Sequence, residues 1–181
     1  MIDIEIEDGR WEDAEPDVAA LAEEVAIAAL EASDFQGSVV ILFTDDVAQQ
    51  ALNLQFRGKD KSTNVLSFPA PTNPEGHLGD ISLAFETCEA EAREQGKTFA
   101  HHLQHLVAHG VLHLVGYDHE TDDEAEIMEG LEREILAGLG APDPYAAERG
   151  DDGESRRAEP GAATKPGRAR PSPPPERQGG Y

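Results

Sequence analysis

The sequence predicts an α+β domain, α/β-like in its alternation, built on a four-stranded mixed sheet with about five helices. Three observations predict it. Strand-like and helix-like apolar patterns are interspersed over residues 1–141, as a sheet with helices packed on it requires. The aliphatic residues stop at Leu139. Six of the seven histidines fall between His101 and His119, within one helical pattern and the turn after it.

Each element follows in order. Ile2, Ile4 and Ile6 alternate with acidic residues, which marks a half-buried strand with an acidic outer face. Val18, Leu21, Val25 and Ala29 recur at helical spacing after Pro16 and predict a helix over 16–32. Residues 38–43 form a short continuous apolar run, the pattern of a buried strand. Thr44 or Asp45 can cap the next helix, with Val47, Ala51, Leu54 and Leu52 as its inward face and an end near Phe56. A strand over 63–68 is stopped by Pro69, and Pro71, Asn73, Pro74 and Gly76 make a long loop. Residues 80–85 alternate again as a fourth strand. A polar helix over 86–95 ends at Gly96. Thr98 caps a more apolar helix that runs through Leu114 and stops at Gly116. The last helix, 122–138, turns Ile127, Leu131, Ile135 and Leu139 inward. Strand order is not legible, and Trp11 carries no assignment.

Residues 142–181 hold 8 Pro and 6 Gly in 40 positions, a composition that cannot bury enough apolar surface to offset chain entropy. They read as a disordered tail, outside a metal-site domain at 1–141. The tail has 7 acidic and 7 basic residues, so the net charge of −23 resides in the domain, with 30 acidic and 7 basic. Such a charge repels phosphate and argues against nonspecific nucleic-acid binding. One cysteine excludes an intrachain disulfide and fits a cytoplasmic protein. No apolar run approaches the ~18 residues that span a bilayer, and the acidic start is unlike a signal peptide.

The histidines carry the chemistry. His109 and His113 are four apart, so their rings emerge on one helix face with Cβ atoms ~5–6 Å apart. Two imidazoles so placed can reach one metal with bonds of ~2.0–2.1 Å. Gly116 follows three residues later and can turn the chain back through positive φ. After three more comes His119, a third ligand. Three neutral imidazoles with one open position make up a catalytic zinc site. His105, four before His109, lacks this downstream geometry and reads as a packing or supporting residue. His101, His102 and His77 read as surface residues. Zinc proteases with this spacing place a Glu base directly after the first His. Here that position is Gly110, which lowers the peptidase reading. Asp118 can orient a ligand imidazole, the favoured reading, or act as the proton acceptor that Gly110 does not supply. Arg57, Lys59 and Lys61 concentrate three of the domain's seven basic residues into five positions of a predicted loop.

Three segments, Asn53 through Pro69, Leu78-Gly79-Asp80-Ile81, and His109 through His119, resemble the YbeY family of single-strand-specific metallo-endoribonucleases. The likeness spans nearly all of 1–141. It departs at Ser62, where the family more usually has Pro. The resemblance implies one Zn²⁺ per chain on His109, His113 and His119. It makes Arg57 the catalytic or RNA-contacting arginine. Lys59 and Lys61, beside it in the basic patch, would then guide the strand. It implies single-stranded RNA as substrate, processing of the 16S rRNA 3′ end, and ribosome quality control in the cytoplasm. With a charge of −23, two outcomes stay open: slow, salt-sensitive cleavage of free RNA, or a strand presented by ribosomal proteins or another ribosome-associated factor as partners. Two other classes are a zinc hydrolase of another substrate and a ribosome-assembly binding factor with structural zinc.

Overall fold

The computed structural model describes residues 1–146. Of the predicted tail, residues 142–146 pack on the domain, with Pro144 buried and its carbonyl accepting from Lys97 Nζ, and the rest, from residue 147 onward, lies outside the described residues. The order is β1 (Ile2–Ile6), α1 (Arg10–Ala14), α2 (Val18–Ser33), β2 (Ser38–Thr44), α3 (Asp46–Arg57), β3 (Val65–Pro69), β4 (His77–Ala84), α4 (Phe85–Glu94), α5 (Phe99–Leu114) and α6 (Asp122–Gly138). The sheet runs β1-β2-β4-β3. β1, β2 and β4 are parallel, and β3 pairs antiparallel with β4. This is the predicted four-stranded mixed sheet.

Helix α5 is the centre of the domain. It packs on β3 and β4 and is flanked by α2, α4 and α6. Thr98 caps it by accepting a hydrogen bond from the His101 amide at 3.1 Å. Its apolar residues Leu103, Leu106, Val107, Val111 and Leu112 are buried, facing neighbours on several sides. Gly110 meets the sheet directly. A Cβ there would lie 3.0 Å from Ile81 Cγ2 and 3.3 Å from Val65 Cγ2. The Ser67 hydroxyl of β3 donates to the Gly110 carbonyl at 3.0 Å. The position that holds the base in zinc proteases is here the contact between helix and sheet.

Four features differ from the sequence reading. First, there are six helices among the described residues, because Arg10–Ala14 forms a single turn. That turn seats Trp11 in the core, where its indole donates to the Thr44 carbonyl at 2.9 Å and its ring packs on Phe43, Phe85 and Phe99. Second, α3 is inverted. Val47 is 76% exposed and Leu54 50% exposed, whereas Gln49 and Asn53 are buried. Polar contacts explain it. Gln49 Nε2 donates to the Ser82 carbonyl, Ser82 Oγ donates to Gln49 Oε1, and Asn53 Nδ2 donates to the Lys61 carbonyl. Third, α6 buries Met128, Glu132, Ile135 and Leu136, and leaves Ile127 49% exposed. Fourth, His102 is buried rather than superficial, with Nε2 3.0 Å from Glu91 Oε1.

Candidate metal centre

The C-terminal end of α5 closes in a Schellman motif. The Gly116 amide donates to the His113 carbonyl at 3.1 Å, and the Tyr117 amide to the Leu112 carbonyl at 3.0 Å. Gly116 has φ 104°, the left-handed conformation its position in the sequence anticipated. The chain reverses there and brings His119 beside the helix. Ring centroids are 4.7 Å apart for His109 and His113, 5.1 Å for His113 and His119, and 5.4 Å for His109 and His119. The three predicted ligands therefore converge, with one nitrogen of each within 4.8 Å of the others. Asp118 acts on His119 through the backbone, its Oδ1 accepting from the His119 amide at 2.8 Å.

The carboxylate that orients a ring is Glu132 of α6, which the sequence reading missed. It is fully buried. Its Oε1 lies 3.0 Å from His109 Nδ1, and its Oε2 lies 2.6 Å from His105 Nε2. Burial pushes its carboxyl up, but hydrogen bonds with His105 and His109 outweigh that and hold it at about 2. Glu132 is thus an anion and accepts the Nδ1–H of His109, which fixes that ring's tautomer and leaves its Nε2 lone pair for a metal. The only sequence signal was a carboxylate four residues after Met128 on a stripe that continues to Ile135 and Leu136.

His105, His109 and Glu132 form a second group close enough to hold an ion. Its geometry is that of hydrogen bonds already made, at 2.6 Å and 3.0 Å. The first group has the donor set that fits zinc or a related divalent ion, three imidazoles with no carboxylate between them. Burial, then the neighbouring His109 and His119, pushes His113 down to about 4, which keeps it in the neutral, ligating form. A cavity of about 320 Å³ opens beside the site, lined by His109, His119, Met128, Glu129, Glu132 and Tyr145.

Arg57, Lys59 and Lys61 are exposed at the end of α3 and in the loop after it. Gly58, with φ 70°, ends the helix. The loop is tied to α3 by the Asn53–Lys61 bond at 2.8 Å and by Gln50 Nε2 donating to Asp60 Oδ1 at 2.8 Å. It leads into β3, whose Phe68 packs on Phe56 and whose Ser67 touches Gly110 beside His109.

The fold and site together define a class: a mixed-sheet α+β domain whose central helix presents a three-histidine cluster able to hold a metal ion. A family model described as Endoribonuclease YbeY matches residues 3–140, and the chain belongs to that family. A relative from Chelativorans sp. (strain BNC1), named Endoribonuclease YbeY, is 55% identical over 152 residues, covering 80% of this chain and 93% of its own. One of the same name from Rhodopseudomonas palustris (strain BisB18) is 55% identical over 131 residues, 68% of this chain and 77% of its own. The solution structure of TM1509 from Thermotoga maritima aligns with a TM-score of 0.49 at 26% identity, over 92% of this chain and 99% of that one.

Proposed function

We propose that this domain is a zinc-dependent, single-strand-specific endoribonuclease that matures the 3′ end of 16S rRNA and acts in late ribosome quality control. The observation that carries the metal assignment is the orientation of His109. Its Nδ1 is committed to Glu132, so its Nε2 is the atom left to meet His113 and His119 at one ion. Membership of the family supports the reaction. Zinc held by His109, His113 and His119 would supply Lewis acidity toward a phosphoryl oxygen and toward water.

The chain's own residues do the rest. Arg57 stabilises charge that builds on the scissile phosphate, because a guanidinium meets phosphate oxygens in a bidentate fork. Lys59 and Lys61 guide the strand along the loop. Glu132 holds the His109 proton at Nδ1 and is no base for the reaction, since both its oxygens are engaged. Gly110 offers no base either. The acidic surface weakens capture of naked RNA, which favours rRNA presented on the ribosome by ribosomal proteins or another associated factor, in the cytoplasm. Among the described residues no helix is long and apolar enough to cross a membrane.

The test is cleavage of a single-stranded RNA spanning the 16S 3′ end, by zinc-loaded wild type and Arg57→Glu, with and without chelator. Wild type should cut only with metal. Arg57→Glu should keep its zinc and lose about 10²–10³ in rate. Equal cleavage by both proteins would remove Arg57 from the mechanism. Cleavage that ignores the chelator would remove the metal.

A further inference from the structure

Tyr145 lies beyond the residues 3–140 that match the family model, yet it reaches the metal centre. The chain leaves α6 and crosses to the start of α5. There Lys97 Nζ donates to the Pro144 carbonyl at 2.8 Å. The Tyr145 amide donates to Asp143 Oδ1 at 2.8 Å, and the Ala146 amide to the Asp143 carbonyl at 3.3 Å. This turn aims the phenol inward. Its hydroxyl donates to Glu132 Oε2 at 2.6 Å and lies 3.1 Å from His105 Nε2, and the two rings meet edge to face at 5.2 Å.

A carboxylate held at one oxygen only can rotate about its last torsion. Glu132 is held at both. Oε1 receives His109, and Oε2 receives His105 and Tyr145. His105 alone gives Oε2 a single contact, and the Tyr145 hydroxyl adds the second, which narrows the plane in which Oε1 meets His109 Nδ1. We propose that Tyr145 is a positioning residue for the metal centre. Through Glu132 its hydroxyl sets the orientation of His109, so a segment outside the matched domain tunes metal affinity. This rests on the three-histidine metal reading above. Glu132 bonds a ligand residue directly, a position where substitution commonly changes affinity by about 10–100-fold, and Tyr145 stands one hydrogen bond further out, so its effect is smaller.

The experiment uses the full chain, with Zn²⁺ affinity measured by competition against a chromogenic chelator and the visible absorption of the Co²⁺-loaded protein as the second readout. Tyr145→Phe removes one oxygen and keeps the ring. Its affinity should fall by roughly three- to tenfold, and the Co²⁺ bands should shift, with thermal melting of the metal-free protein near that of wild type. In a Glu132→Gln background the same substitution should change neither readout further, because the relay is already broken. Unchanged affinity and bands in Tyr145→Phe, while the wild type binds one zinc, would overturn the Tyr145 assignment alone. So would an effect that simply adds to that of Glu132→Gln. A wild type that binds no zinc, or a His113→Ala protein that still does, would sink the metal reading and the role of Tyr145 with it.

Discussion

The two halves of α5 carry the same side chain to opposite ends. In the N-terminal half, His102 and His105 each give Nε2 to a carboxylate, Glu91 at 3.0 Å and Glu132 at 2.6 Å, and each keeps a buried Nδ1 with no hydrogen-bond partner among the described residues. In the C-terminal half, His109 gives Nδ1 to Glu132 and turns Nε2 outward, where His113 and His119 meet it. The difference is which nitrogen the carboxylate takes. A carboxylate on Nε2 holds a histidine within the helix packing, with His102 buried and His105 mostly so. A carboxylate on Nδ1 directs the remaining nitrogen to a shared point. Histidine spacing alone does not separate the two outcomes, since His105 and His109 are as far apart in sequence as His109 and His113.

The largest expected effect falls on the converging half. His113→Ala should lower zinc affinity by more than about a hundredfold, read as metal content after dialysis. Stoichiometric zinc in that variant would erase the distinction between the halves. The next sets the two carboxylates against each other. Glu132→Gln should weaken zinc by about 10–100-fold. Glu91→Gln should leave zinc affinity alone and cost about 1–3 kcal/mol of stability by denaturant unfolding, since it removes the charge that meets His102 and puts an NH₂ where Oε2 accepts from Asn64. A zinc defect in Glu91→Gln would mean that the whole helix is one coupled array.

The smallest is a pH effect in the metal-free protein. His113 is pushed from 6.5 to about 4, so between those values the unfolded chain binds a proton that the folded one refuses. Stability should therefore rise with pH across that window, by about 1–2 kcal/mol for a partly exposed ring. His113→Gln should flatten the slope. An unchanged slope would assign it to other groups. Glu132 has the same sign but acts lower, since its stabilisation is complete above 4.5 and lost as pH falls toward about 2.

Much of this was legible from residue order. The histidine triplet needs only a helix and one left-handed glycine, both local properties, and α5 with Gly116 supplies them. The strands were legible because β-branched runs and alternation report burial. What was not legible depends on partners distant in sequence. Glu132 looks like any helix glutamate until it meets His105, 27 residues away, and His109, 23 away. Helix α3 misled because its amides have backbone partners on β4 and the loop, so the polar face turned in and Val47 and Leu54 turned out. Trp11 had no periodic context, being held by a one-turn helix. His102 needed Glu91 on another helix to be buried at all.

The Asn53–Lys61 hydrogen bond has a thermodynamic reach beyond the shape of its loop. A basic loop that is ordered only when it grips a strand must give up its freedom at that moment, and affinity falls accordingly. Here the backbone at Lys61 is already tethered to a buried amide, so that ordering belongs to folding and not to association. For the proposed role of Lys59 and Lys61 in guiding RNA, a loop backbone set at Lys61 before any encounter would leave only the exposed side chains to be ordered on binding. Cutting the tether with Asn53→Ala would move that entropy from the folding equilibrium into the binding one.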